Sequence, residues 1–318
     1  MSERVLAIDI GGTNVKAGLV DRDGTISHLV HRPSRAAEGR EPLLAVLHDL
    51  VKEQQAQGEF VAIGTGSPGT ISHTDGSVIY MQTHMPGWTG TPLGRRLAEW
   101  GGVPATVDND VNVIALGENW MGAGKGSRCQ ISLALGTGLG GGVVIDGVLY
   151  RGAQKRGIEI GHVVVCPGGE PCTCGNFGCV EVYTAPGAMA RRAERYLANG
   201  IPSALHGNGE ITGAEIIALA QQGDHLCRKL MDDATHYLSL LMWQLCAAFD
   251  PDVFVLGGGL LKAGDTFLGP VREQLTCYHY PAELEPRFRI AVSELGDTAG
   301  VLGAAKLAWD WLDGIDRA

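Results

Sequence analysis

A strand–glycine-turn–strand unit occurs twice in this chain, and that recurrence limits what it can fold into more than any other feature. Val5–Ile10 is a short apolar strand with Asp9 near its end, and it runs into Gly11-Gly12-Thr13-Asn14. Val15–Asp21 alternates apolar with polar or small residues, which predicts a second strand. Asp23-Gly24 turns the chain again, and Thr25–Val30 reads as a third strand. The pattern returns with Ile131–Leu135, the turn Gly136-Thr137-Gly138-Leu139-Gly140-Gly141-Gly142, a strand over Val143–Ile145, Asp146-Gly147 and a strand over Val148–Tyr150. Ile10-Gly11-Gly12-Thr13 falls on Leu135-Gly136-Thr137-Gly138, and Asp21 falls on Asp146. This is no solenoid period. It predicts two related α/β lobes whose glycine turns could hold one nucleotide from both sides. Two unrelated hairpins would leave the same residues.

The remaining segments extend the α/β pattern. Helical spacing of Leu43, Leu47, Leu50 and Val51 predicts a helix over Glu41–Gln57, and Phe60–Thr65 reads as a strand. Ala185–Ala198, Gly213–Gln222, Asp224–Phe249 and Ala299–Leu312 read as helices. Val253–Leu256 is a buried strand entering Gly257-Gly258-Gly259. The strand ending near Pro104–Asn109 marks the expected lobe boundary. That gives an N-terminal lobe over residues 1–108, joined by a C-terminal helix at about 300–318, and a larger lobe over 109–299.

The net charge of -10 argues against a broad nucleic-acid interface. It does not oppose local phosphate binding by backbone amides. No apolar run approaches the roughly 18 residues that span a bilayer, so no membrane partner is expected. The amino terminus carries no export signal, which predicts a cytoplasmic protein with poor disulfide candidates among its cysteines.

Four constellations carry chemistry. In Asp9-Ile10-Gly11-Gly12-Thr13-Asn14-Val15-Lys16, the glycines admit an anion and Thr13 and Asn14 can donate to it. Asp9 is placed to hold magnesium through water. Lys16 either reaches a phosphate or is an ordinary strand lysine. No Walker loop occurs, and the strand after Gly136-Thr137-Gly138 excludes a Rossmann site. Asp108-Asn109-Asp110 precedes a helix. One such residue suffices as a cap, so the extra carboxylate suggests a base for a hydroxyl nucleophile. His162 with Cys172, Cys174 and Cys179 would complete a tetrahedral zinc shell, structural because no position is left for water. Reduced thiols without metal are the alternative, and His162 could instead contact substrate, or do both. Glu159 and Glu181 flank this segment. Each is an ordinary surface glutamate by type, or a carboxylate suited to paired hydroxyls.

Taken in order, these elements resemble the ROK family (repressor, open reading frame, kinase) over nearly the whole chain. Asp9–Lys16 resembles its first phosphate motif and Gly136–Gly142 its second. Gly66-Ser67-Pro68-Gly69 and Pro86-Gly87-Trp88 resemble its sugar-side turns, and Asn109-Asp110 its catalytic pair. Glu159-Ile160-Gly161-His162 and Cys172–Glu181 resemble its zinc signature, and Gly296–Gly300 the segment that opens its closing helix. The resemblance implies a bilobal actin-like (ribonuclease H-like) ATPase fold with a central cleft. It implies ATP-dependent phosphorylation of a hexose 6-hydroxyl, with glucose first, and with Mg2+ and structural Zn2+. Carried over by position, Asp110 is the general base. Ser67, Pro68, Gly69, Asn109, Asp110, Glu159, His162 and Glu181 meet the sugar. Asp9, Gly11, Gly12, Thr13, Asn14, Lys16, Gly136, Thr137, Gly138, Gly257, Gly258 and Gly259 meet the nucleotide. His162 would serve zinc with one nitrogen and sugar with the other.

Ile158 stands where a glycine is common, and Thr83-His84-Met85 where an Asn-rich stretch is usual. Both departures bear on which sugar is bound. An N-acetylglucosamine or N-acetylmannosamine kinase is the alternative within the family, as is a non-catalytic sugar sensor. Family repressors add an N-terminal DNA-binding segment, for which a first strand starting at residue 5 leaves no room. A dimer or tetramer is expected, with Asp224–Phe249 a plausible interface.

Overall fold

The computed structural model describes residues 3–81, 85–205, 209–278 and 288–315. They form β1 (Arg4–Ile10), β2 (Asn14–Asp21), β3 (Ile26–Pro33), α1 (Arg40–Gln57), β4 (Ile63–Ser67), the short hairpin β5 (Thr70–Ile71) and β6 (Val78–Tyr80), α2 (Leu93–Gly101), β7 (Ala105–Asn109) and α3 (Asp110–Met121). Next come β8 (Cys129–Leu135), β9 (Leu139–Ile145), β10 (Val148–Tyr150), α4 (Glu181–Thr184), α5 (Pro186–Ala198), α6 (Gly213–Gln221), α7 (His225–Phe249), β11 (Val253–Gly258), α8 (Asp265–Leu275), β12 (Arg289–Val292) and α9 (Ala299–Leu312). Among the described residues no helix is long and apolar enough to cross a membrane.

The two sheets have matching orders, β3-β2-β1-β4-β7 and β10-β9-β8-β11-β12. The repeat read from the sequence is therefore a repeat of topology. In the first sheet β1 and β2 form an antiparallel hairpin, while β1, β4 and β7 are parallel. A strand in the middle of such a sheet is covered on both faces, which explains the unbroken apolar run of β1. Leu6, Ile8 and Ile10 pack with α1 residues and Trp88, whereas Val5 and Ala7 pack with α3 and α9. That division follows from the two-residue alternation of a strand.

The chain forms two compact units, one of residues 1–130, 142–158 and 293–318, the other of 131–141 and 159–292. The sequence reading grouped 1–108 with a C-terminal helix at about 300–318 and set 109–299 apart, whereas these units group α3 and residues 142–158 with the amino-terminal part as well. Helix α3 groups with the first unit because its backbone lies against α9. A Cβ on Gly117 would stand 2.4 Å from the Ala299 carbonyl oxygen, and one on Gly303 1.7 Å from that of Val113. On the sheet side, a Cβ on Gly64 would stand 1.8 Å from the Ala304 carbonyl oxygen. Helices α2 and α8 were not anticipated. The Thr83-His84 part of the departure near Pro86 lies outside the described residues, while Met85 is buried.

Gly303→Ala should cost about 1–3 kcal/mol or more, because the opposing atoms are backbone and cannot swing away. A lower urea midpoint at unchanged m-value is the expected reading.

Candidate active site

The carboxyl ends of β1, β4 and β7 lie side by side. Asp9 pairs with Gly66, Gly66 with Asp108, and Ser67 with Asn109. Open α/β sheets bind ligands beyond that edge. The turn after β1 is closed by Gly11 N–H donating to the Asn14 carbonyl at 2.9 Å. Ser34 pins it from the side, with its N–H on the Thr13 carbonyl at 2.8 Å and its hydroxyl on the Gly12 carbonyl at 2.7 Å. With those oxygens engaged, the donors of this exposed turn are what remain for an anion.

Lys16 is not an ordinary exposed lysine. Its Nζ donates to the Asp297 carbonyl at 3.0 Å and to Asp297 Oδ1 at 3.2 Å, and lies 3.9 Å from Asp9 Oδ2. Burial pushes the Asp9 carboxyl up, Lys16 opposes this, and Asp297 adds to it. Gly300, in the first turn of α9, sits directly on that carboxyl group: a Cβ there would fall 2.3 Å from its carbon.

Asp108, Asn109 and Asp110 have three separate jobs. Asn109 is the cap, its Oδ1 accepting from Val111 N–H at 3.0 Å and Asn112 N–H at 3.3 Å. Its Nδ2 donates to the Gly69 carbonyl at 3.1 Å, which joins it to the Ser67-Pro68-Gly69 turn. There Ser67 is buried and accepts from Trp88 Nε1 at 3.2 Å. Asp108 is buried beneath the site. Its Oδ1 accepts from Asn109 N–H at 2.6 Å and Asn112 Nδ2 at 2.9 Å, and its Oδ2 from Arg151 Nε at 2.6 Å. Burial alone would raise this carboxyl, but Arg151, His73 and Asn112 hold it at about 2. Asp110 opens α3 half-buried. Burial, reinforced by the charge of Asp9, pushes it up to about 6, against hydrogen bonds from Val111 and its own N–H.

The second unit gathers the other predicted residues. Gly136 N–H donates to the Gly138 carbonyl at 2.9 Å, and a Cβ on Gly258 would stand 2.1 Å from the Leu135 carbonyl oxygen. The second glycine turn therefore abuts Gly257-Gly258-Gly259. Leu139 N–H donates to Glu181 Oε2 at 3.1 Å. A Cβ on Gly161 would stand 2.1 Å from the Leu139 carbonyl oxygen, so the Glu159–His162 turn packs on the same residue. Asp110, Asn109 and Ser67–Gly69 thus belong to the first unit, and Glu159, His162 and Glu181 to the second.

The donor atoms of His162, Cys172, Cys174 and Cys179 all lie within 4.8 Å of one another. Cys172 Sγ is 3.6 Å from His162 Nδ1, and Cys174 Sγ is 3.7 Å from Cys179 Sγ. Ligands about 2.0–2.3 Å from one tetrahedral ion are separated by about these distances. Gly175 (φ 92°) and Gly178 (φ 77°) turn the knuckle through left-handed backbone. Burial, then Cys174 and Cys172, pushes the Cys179 thiol up to about 12, an unfavourable crowding that a cation would relieve. The four residues fit a zinc ion.

Sequence reasoning missed Arg151 and His73 behind Asp108. Nothing in their spacing marks them. It also missed the pairing of Asp297 with Lys16, although Asp297 lies in a segment singled out for other reasons.

The ROK family model matches residues 5–310. A glucokinase from Thermotoga maritima is 33% identical over 98% of this chain and 99% of its own length. A ROK hexokinase structure from Thermus thermophilus has a TM-score of 0.85 at 32% identity, covering 98% of this chain and 99% of that one. A ROK glucokinase from Streptomyces griseus, solved with glucose and AMPPNP, has a TM-score of 0.78 at 30% identity, covering 96% and 99%. The fold is accordingly the bilobal actin-like α/β fold, and the chain belongs to the ROK family.

Proposed function

We propose that this ROK sugar kinase transfers the γ-phosphoryl group of ATP to the 6-hydroxyl of glucose, with Asp110 as general base. The observation that carries the reading is the Asp110 carboxyl, raised to about 6 at the carboxyl end of β7. A base works best when its pKa lies near the operating pH. The glucokinase relative and the glucose-bound neighbour support glucose as the acceptor.

Asp110 accepts the hydroxyl proton as the sugar oxygen bonds to the γ-phosphorus and the bond to the β,γ-bridging oxygen breaks, releasing ADP. Asn109, the Ser67–Gly69 turn, Glu159, His162 and Glu181 contact the sugar. The turns at Gly11–Asn14 and Gly136–Gly138 donate to the phosphates, with Gly257–Gly259 at the nucleoside. Asp9 would hold magnesium, which neutralises charge on the transferring group when bound. Lys16 holds Asp9 in place and adds positive charge beside it. The His162–cysteine set would hold a zinc ion that fixes the knuckle with no coordinated water. His162 Nδ1 faces Cys172, which leaves Nε2 for a sugar hydroxyl.

Asp110→Asn should lower kcat by about 100- to 10,000-fold, and a variant near the wild-type rate would refute the assignment. For the wild type, kcat/KM should fall about tenfold per pH unit below about 6, where Asp110 is protonated, and the variant should lack this limb. The stability sign is the reverse. A raised carboxyl pKa means the folded state holds its proton longer, so stability is lost as pH rises from about 4 to 6. Asp110→Asn should therefore unfold at higher urea than the wild type at pH 7. A panel of hexoses and N-acetylhexosamines at fixed ATP tests the acceptor, and preference for an N-acetyl sugar would overturn glucose.

Removing the metal should raise the sugar KM far more than the ATP KM, because His162 and Glu181 are set by the knuckle. Cys174→Ser should copy that effect and lower the zinc content per chain. Zinc-free protein with unchanged sugar KM would break the link between knuckle and sugar site.

A further inference from the structure

Arg151 is 4% exposed, and both ends of the residue are committed. Its Nε meets Asp108 Oδ2 at 2.6 Å, and Asp108 in turn accepts from Asn109 N–H and from the Asn112 side chain. Those two residues bracket Asp110. At the other end, the Arg151 carbonyl accepts from Gly157 N–H at 2.8 Å, and a Cβ on Gly157 would stand 2.9 Å from that oxygen. The chain between them is a tight loop, closed by Lys155 N–H on the Gly152 carbonyl at 3.1 Å. It leaves Ile158 at φ 72°. A β-branched residue in left-handed backbone is a true conformational outlier, retained only where its surroundings impose it. Glu159 is the next residue.

We infer that Arg151 is a positioning residue for both sides of the reaction. Its guanidinium fixes the Asn109–Asp110 turn through Asp108, and its carbonyl closes the loop that holds Ile158 left-handed and so sets the direction in which Glu159 leaves it. The inference rests on the roles proposed for Asp110 and Glu159. It adds that the base-bearing turn and the start of the Glu159 segment are tied to one buried residue. Lysine keeps the charge at this site but lacks the planar fork that reaches Asp108 while the backbone stays in place.

The test compares Arg151→Lys and Ile158→Gly with the wild type, measuring kcat, the KM for glucose and the KM for ATP, with thermal unfolding as the fold check. Arg151→Lys should lower kcat about tenfold or more and raise the glucose KM about tenfold, with the ATP KM within twofold. Ile158→Gly should raise the thermal midpoint, since glycine relieves the strained φ. It should also raise the glucose KM at least fivefold while kcat stays within threefold, because only the Glu159 side is loosened. Equal loss of glucose and ATP affinity in Arg151→Lys would mark a merely structural residue and overturn the inference, as would wild-type glucose kinetics in both variants. If Arg151→Lys does not fold, Ile158→Gly decides: a glucose-specific rise in KM upholds the inference and its absence ends it. Asp110→Asn separates this result from the kinase reading. An active Asp110→Asn protein would remove the proposed base, whereas the Arg151 and Ile158 effects on glucose KM would still be measured against the wild type.

Discussion

The first unit is organised by direct backbone contact between α9 and its neighbours. Gly64, Gly117 and Gly303 leave no room for a side chain where β4, α3 and α9 meet. Contacts of this kind fix a helix by translation as well as rotation, because carbonyl oxygens cannot adopt another rotamer. The amino-terminal turn of α9 is therefore held at the end of β1, where Gly300 rests on the Asp9 carboxyl group and Asp297 takes Lys16. Glu118 fastens the approach to this turn. It is buried, and its carboxylate accepts from Ser293 Oγ at 2.5 Å, Leu295 N–H at 3.2 Å and Ala123 N–H at 2.9 Å. The segment that precedes α9 is thus tied to α3 and the turn after it by one carboxylate.

Two carboxylates two residues apart have been driven in opposite directions. Asp108 is buried but surrounded by donors and a guanidinium, so its ionised form prevails and it serves as a fixed acceptor. Asp110 is desolvated beside another carboxylate, so its proton is held to about pH 6. Divergent environments for neighbouring acids are how one site separates a structural charge from a proton acceptor. Exchanging the residues would not preserve the arrangement, since Asp108 points at Arg151 from the strand and Asp110 lies in the helix.

Much of this was legible in the sequence. The duplicated strand–turn–strand unit declares itself through alternation and glycine, and the matching sheet orders follow. The knuckle is legible because Cys172, Cys174, Cys179 and His162 have few other reasons to cluster. The Asn109 cap is local, and local chemistry survives translation into structure. What failed was long-range. Arg151 and Asp108 are 43 residues apart, and no periodicity joins them. The packing of α3 on α9 was not legible either, because the chain reaches α9 only after crossing the second unit. Helix α8 was hidden by Gly269 and Pro270 inside it, both poor helix formers. Ile158 was legible as a bulky residue out of place, but its positive φ is a property of the closed loop and not of its neighbours in sequence.

The second copy of the strand–turn–strand unit puts its glycine turn to a different end. In the first copy the turn's carbonyls are engaged by Ser34 from β3's far end, a contact internal to the sheet. In the second copy the turn is engaged by Glu181, which opens α4 two residues after the last knuckle cysteine. Gly138 lets the carboxylate come this close: a Cβ there would stand 2.5 Å from Glu181 Oε2 and displace it. The knuckle, the proposed sugar carboxylate and the proposed phosphate turn are thus joined in sequence, each within hydrogen-bonding or van der Waals reach of the next. Glu181 reaches the turn through the Leu139 N–H at 3.1 Å, and Gly161 and Gly187 press on the carbonyls of Leu139 and Thr137. The Cys/His cluster is thus part of the same packed segment as Glu181 and the second glycine turn.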